Sequence, residues 1–343
     1  MIVNSQIYKL LRVVRSPFTK SYYDIRAHEI RQLYPYALKN KMPLLYLEAV
    51  NRAGELGSLG EEYVRLRRKY AKIEEAVCKI SKKLNAWGVN YAFFKSIKPY
   101  PEVTVDIDIL VFGLKYPDVL RNMRDAGYVF LARGPLSATF RDVKSVVDFD
   151  VYDEVGVSRI VYLDKDVLEN FVGERKLSNS EVVRSLLPEA DLLSVIAHSV
   201  LKEQMYVLSE YYTTLYYLAD MKDETLNSFL SLVDKCKLRL AVETHIGISA
   251  MLHYWAYGKL PLCLVKLINM LKNNHLELPH GIEKGFSTPY KYHPITILKA
   301  FLEKFGEEKA MRSFALQALN MCNPRFASFV VKKTFNRINR KTY

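Results

Sequence analysis

Four aspartates on two short apolar segments are the residues of this sequence best placed to do chemistry. In VTVDIDILVF (103–112), Asp106 and Asp108 flank Ile107 and are followed by Ile109, Leu110 and Val111. Residues two apart on a strand face the same way, so the two carboxylates stand side by side. Like charges repel and burial penalises ionisation, which makes such a pair costly on its own. A divalent cation removes both penalties, and hard oxygen ligands suit Mg²⁺ or Mn²⁺. The segment VVDFDV (146–151) repeats the arrangement with Asp148 and Asp150. Three or four carboxylates from two strands can hold two metal ions about 4 Å apart, the geometry used for in-line displacement at phosphorus. Asp150 is either a fourth ligand or an exposed partner of Lys144.

Ten residues before Asp106 comes Phe94-Lys95-Ser96, closing the strand-like run VNYAFFK (89–95). A small hydroxyl residue at a strand-to-helix junction can offer its own oxygen and free backbone N–H groups to phosphates, and Lys95 adds a point charge. A phosphate grip followed by a metal-binding D-x-D is a phosphoryl-transfer layout.

The surrounding periodicities say what must position these groups. Residues 1–73 read as helical. Their strongest segment, 61–86, carries an apolar stripe of Tyr63, Val64, Tyr70, Ile73, Val77, Ile80 and Leu84, after the Gly-rich turn 53–60. From Trp87 the period changes to strands at 89–95, 103–112, 128–132, 139–143 and 145–152, with a helix at 115–126 closed by Gly127. That order implies a mixed sheet with helices packed on it. After Pro188 the strand signals stop. Helical windows follow at 189–203, 207–220, 224–236, 238–257, 261–273, 294–305, 307–320 and 325–338. The expected organisation is a helical N-terminal segment (1–73), an α/β domain (74–180) and an all-α C-terminal domain (181–343).

Composition bounds the class. The chain has 343 residues, half of them hydrophobic and a quarter charged, which are globular proportions. Cys78, Cys236, Cys263 and Cys322 form no CxxC pair, arguing against a zinc ribbon or a disulfide scaffold. His245, His253, His275, His280 and His293 show no metal-ligand spacing. With no apolar run of about 18 residues and no signal-like start, the expected compartment is the cytoplasm. Of the net charge of +13, residues 1–72 carry +8, 309–343 carry +8 with no acid, and the middle carries −3. Two basic ends around a near-neutral middle suggest a polyanionic partner. Arg65, Arg67, Arg68, Lys69 and Lys72 crowd onto two helical turns, and Lys333, Arg337, Arg340 and Lys341 fall on one helical stripe.

Across roughly 74–220 the sequence resembles the DNA polymerase β-type nucleotidyltransferase superfamily. Within it, the chain is most similar to uncharacterised prokaryotic nucleotidyltransferases with a helical C-terminal domain. The resemblance rests on Phe94-Lys95-Ser96, Tyr100-Pro101, Asp106-Ile107-Asp108-Ile109-Leu110-Val111, Ala126-Gly127-Tyr128 and Val147-Asp148-Phe149. Farther on it takes in Glu189, His198 and Leu218-Ala219-Asp220. It implies an α+β fold with a small mixed sheet. It also implies that Asp106, Asp108 and Asp148 are catalytic and bind Mg²⁺ or Mn²⁺, with Asp148 helping to activate the acceptor hydroxyl, and that Lys95 and Ser96 bind the nucleotide. The chain departs from the pattern at Lys95, where the superfamily usually has Gly, and at Asp150, where the closer group tends to have His. The activity so implied is transfer of an NMP group from an NTP, ATP among them, to an acceptor. The basic ends favour RNA such as tRNA over a protein or a small molecule. A toxin-like role of the toxin–antitoxin kind is compatible with this. The alternative is a non-catalytic nucleic-acid-binding protein on the same fold. A glycosyltransferase would need a larger sheet before its D-x-D. His198, Asp220 and the tyrosines Tyr211, Tyr212, Tyr216 and Tyr217 read as packing residues.

Overall fold

The computed structural model describes residues 5–19, 27–113, 116–271, 286–324, 326–328 and 331–332. Three helices come first: α1 (Ser5–Val14), α2 (Ala27–Lys39) and α3 (Pro43–Arg52). The stripe over 61–86 folds as one 27-residue helix, α4 (Gly60–Ala86), with Glu61 and Glu62 in the first turn where the helix dipole favours them. At 1.5 Å per residue it is a rod of about 40 Å. Then come β1 (Tyr91–Phe93), β2 (Asp106–Val111), α5 (Tyr116–Asp125), β3 (Val129–Arg133), β4 (Ser137–Asp142) and β5 (Val147–Tyr152), in the expected order.

Four further strands follow that the periodicity does not announce: β6 (Val155–Val157), β7 (Ile160–Leu163), β8 (Val172–Lys176) and β9 (Val182–Leu186), with α6 (Lys165–Leu168) between β7 and β8. The first two are very short. The third, VGERK, is largely polar because it is an edge strand, where charge discourages pairing with other chains. One sheet runs β3-β4-β5-β2-β1-β9-β8, with β2–β5 and β1–β9 parallel and the rest antiparallel.

The rest is helical: α7 (Pro188–Ala197), a π-helical turn His198–Glu203, β10 (Met205–Tyr206), α8 (Leu208–Asp220), α9 (Asp223–Lys235), α10 (Arg239–Tyr257), α11 (Leu262–Leu271), β11 (Tyr290–Lys291), α12 (Pro294–Glu303) and α13 (Glu308–Met321). Most of the helix expected at 325–338 lies outside the described residues, as do Lys333, Arg337, Arg340 and Lys341. Among the described residues, no helix is long and apolar enough to cross a membrane.

The sheet is covered on both faces, and alternation along each strand sorts the side chains. Ile107, Ile109, Val111, Phe149 and Val151 share a core with Ile73, Val77, Ile80 and Leu84 of α4 and Val119 and Met123 of α5. Ala92, Leu110 and Tyr152 point the other way, into a larger core shared with α1–α3 and α7–α12. Asp106 and Asp108 have the parity of Leu110, so they face the helices.

That larger core buries two histidines of α10. His245 shares a hydrogen bond with Thr214 and His253 one with Tyr211, both at 3.0 Å. Burial pushes His253 down to about 4 and His245 to about 3 from 6.5, so both are neutral in the fold. An unfolded chain takes up these protons below its own value, so the stability is present above pH 6.5 and is lost as pH falls towards the folded values. At pH 5.5 the loss is about 1 kcal/mol per histidine. The NMR ring-proton shifts of both residues should stay at their neutral positions down to pH 5. Titration near 6.5 would contradict their burial.

Candidate functional site

Parallel pairing of β2 with β5 sets Asp106 opposite Asp148 and Asp108 opposite Asp150. All four carboxylates therefore leave the same face of the sheet, yet only three converge. Asp106, Asp108 and Asp150 each offer an oxygen, and these lie within 4.8 Å of one another. Asp148 does not join them, and the reason lies on β4. Arg141 sits directly opposite Asp148 and grips it with two bonds, from Nε at 2.6 Å and Nη2 at 2.8 Å. Opposite Asp150 stands the short Thr139, whose hydroxyl donates to one oxygen at 2.5 Å. The residue left open between fourth ligand and partner of Lys144 thus stands in the cluster, and the residue expected as third ligand stands in an ion pair.

Asp108 is the innermost, 2% exposed. Burial pushes its carboxyl up to about 7. Lys95 pulls it back, and Asp106 and Asp150 push it further. Burial also raises Asp150. Three carboxylate oxygens this close are the hard donor set that Mg²⁺ or Mn²⁺ takes, so the residues fit such an ion.

Lys95 and Ser96 meet the site in a different way from the free-N–H turn expected of them. The segment from β1 to β2 is irregular, with no helix following Ser96. The Ser96 N–H is used by the Phe94 carbonyl at 2.6 Å. Its Oγ accepts the Asp108 N–H at 3.0 Å and contacts the Phe94 carbonyl at 3.2 Å. Ser96 therefore ties the turn to β2. Lys95 has φ +50°, and its N–H goes to the Asp191 carboxylate of α7. Its ammonium is bonded to Asp108. Burial opposes that charge, but Asp108 and then Asp106 outweigh it and raise the lysine above its ordinary value.

Several contributors carry no local signal in the sequence. Asp191, 1% exposed, also accepts the Tyr217 hydroxyl, and Arg175 donates to Tyr217 at 2.9 Å. Lys202 reaches the Tyr152 hydroxyl at 3.1 Å. In front of the carboxylates lies a cavity of about 330 Å³ whose wall includes Lys41, Lys95, Lys98, Asp106, Asp108 and His198. Burial pushes Lys41 down to about 8 and lowers Lys98.

His198 opens the π-helical turn, a local irregularity common at functional sites. Its Nε2 lies 3.4 Å from Glu203, its Nδ1 is buried without a hydrogen-bond partner, and burial holds its pKa well below 6.5. Asp220, by contrast, is exposed at the end of α8. Tyr211, Tyr212 and Tyr217 are buried in the core, with Tyr216 packed against it.

No family model matches this chain, and no curated protein matches it either. Among solved structures, it is similar to an antigenic nucleotidyltransferase-like protein from Paracoccidioides brasiliensis, at 12% identity over 48% of this chain and 88% of that one, with a TM-score of 0.30. It is similar also to the STING-associated CdnE c-di-GMP synthase from Capnocytophaga granulosa, at 12% identity over 91% and 97% of the two chains, with a TM-score of 0.27. Both likenesses are weak, and neither family membership nor any residue role is taken from them.

Proposed function

We propose that the chain is a metal-dependent nucleotidyltransferase, with Asp106, Asp108 and Asp150 as the metal ligands and an NTP as donor. The observation that carries this reading is the convergence of three carboxylates from adjacent parallel strands, two of them, Asp106 and Asp108, on the wall of a cavity also lined by Lys41, Lys95 and Lys98. At about 330 Å³ the cavity is within the range that encloses small-molecule ligands. Bound Mg²⁺ or Mn²⁺ would neutralise charge on the phosphate oxygens. Lys41, Lys95 and Lys98 supply cations to a polyphosphate, and Asp150 is positioned by Thr139 to receive a proton. In the reaction, an acceptor hydroxyl oxygen bonds to the α-phosphorus while the bond from that phosphorus to the β-bridging oxygen breaks. Pyrophosphate leaves, and the hydroxyl proton passes to a carboxylate or to water. Incubation with labelled NTPs, Mn²⁺ and total RNA should yield labelled product and pyrophosphate. Binding of NTP and metal without either product would instead support the non-catalytic alternative, which the Lys95–Asp108 ion pair favours.

For the acceptor we propose single-stranded RNA. A groove of about 800 Å³ runs between the first turns of α4 and the β4–β5 turn, lined by Arg65, Arg68, Lys69, Lys72, Val64 and Val146. Its Val146 immediately precedes β5, whose first residue stands three before Asp150, or roughly 10 Å along a strand. Cations interleaved with apolar surface suit a phosphate backbone with splayed bases. The double variant Arg68→Glu/Lys72→Glu should weaken binding of a single-stranded RNA about tenfold in filter binding. It should also flatten the log–log salt dependence by about 1.4, that is, 0.7 for each phosphate no longer neutralised. An unchanged slope would point to a protein or small-molecule acceptor.

A further inference from the structure

We propose that Lys95 is a resident counter-ion of the carboxylate cluster, an internal cation that a divalent ion must displace. The inference rests on reading Asp106, Asp108 and Asp150 as the metal ligands, and concerns how that site is regulated. Three carboxylates brought within 4.8 Å of one another would repel strongly if nothing stood among them. The Lys95 ammonium stands there, bonded to the most buried of the three. The rings of Phe94 and Tyr152 flank it at 5.1 and 5.2 Å, a setting that favours a cation.

This placement is built, because the lysine backbone is held in an unfavourable conformation to achieve it. At φ +50° a residue with a Cβ is strained. The buried Asp191 holds it there by accepting the Lys95 N–H, and is itself anchored by Tyr217 and Arg175. A glycine would take this backbone without strain and would leave the cluster bare.

An ammonium has donors only, and it repels a metal ion. The two therefore compete for the same Asp108 oxygen, and entry of one requires departure of the other. Lys95 thereby stabilises the metal-free fold and raises the cation concentration at which the site fills. Its released charge stays beside the cavity wall formed by Lys41 and Lys98, where a polyphosphate would welcome it. Metal and nucleotide then each lower the cost of the other's binding, a reciprocal coupling.

The test is isothermal titration of the full chain with Mn²⁺ alone. Lys95→Met should bind Mn²⁺ at least tenfold more tightly than the native chain. Its metal-free melting temperature should fall, and Mn²⁺ should restore it. Asp108→Asn should bind weakly. If Lys95→Met binds no more tightly than the native chain while Asp108→Asn loses binding, the counter-ion role is overturned and the metal site stands. If neither the native chain nor Lys95→Met binds Mn²⁺, the metal reading itself fails. A readout on the native chain removes any dependence on folding of the variant. Acylation of Lys95 by an amine-reactive ester, followed by peptide mass spectrometry, should speed up several-fold when Mn²⁺ is added. An unchanged rate overturns the proposal.

Discussion

Asp108→Asn and Asp150→Asn should each lower NTP turnover by about 1,000-fold, whereas Asp148→Asn should change it by no more than about threefold. The first two remove a charged oxygen from a cluster whose members lie within 4.8 Å of one another. A thousandfold is about 4 kcal/mol of transition-state stabilisation, the scale on which metal-held phosphoryl charge acts. The third disrupts only the ion pair with Arg141 on a half-exposed stretch of β4 and β5. Single-turnover measurement of pyrophosphate release at saturating Mn²⁺ separates the cases. Loss of activity in Asp148→Asn equal to that in Asp150→Asn would return Asp148 to the ligand set. Retained activity in Asp108→Asn would remove the site altogether.

Asp191→Ala should destabilise the fold by about 4 kcal/mol, the scale for deleting one partner of a buried charge pair. The change strands three donors at once. Arg175 keeps its charge 3.8 Å from where the carboxylate was, Tyr217 loses the acceptor for its hydroxyl, and the strained Lys95 N–H loses the bond that holds it. Asp191→Asn should cost less, because an amide oxygen still accepts the Lys95 N–H. Urea unfolding followed by circular dichroism measures both. A cost below about 1 kcal/mol for Asp191→Ala would mean that water replaces the carboxylate and that the tie between α7 and the turn is weak.

The strands and helices that build the site are legible in the sequence because each has one dominant environment. Strand β2 changes from alternating to fully apolar as it enters the sheet, and α4 carries an unbroken stripe, so their periods speak for themselves. Strands β6 to β8 lack such a pattern because they are short or polar at an edge. Telling which aspartate of β5 joins the cluster needs information that no period contains. Asp148 and Asp150 have the same parity, and what separates them is which β4 residue stands opposite each, Arg141 or Thr139. Register is set by the turn and by packing across strands, and the segment 146–151 read alone cannot express it. The cavity lysines are invisible for a related reason. Lys41 and Lys98 come from segments far apart in the chain, and each is an ordinary lysine until the fold brings it to the cavity. The turn at Lys95 reads as a phosphate grip in the sequence, and the structure differs because its left-handed backbone depends on Asp191, about a hundred residues away.

The two-faced sheet has a consequence for how this protein can change over time. Every second residue of β2 and β5 belongs to the α4 side, where volume and greasiness are the only demands, and its neighbours belong to the side where charge is placed. Point substitutions at Ile107, Ile109 or Phe149 can therefore drift among similar shapes while the acidic cluster keeps its geometry. A one-residue insertion or deletion within either strand has no such freedom. It would turn the aspartates into the hydrocarbon packing under α4 and bring isoleucine or phenylalanine to the cavity, so lineages of this fold can vary in sequence here far more readily than in length.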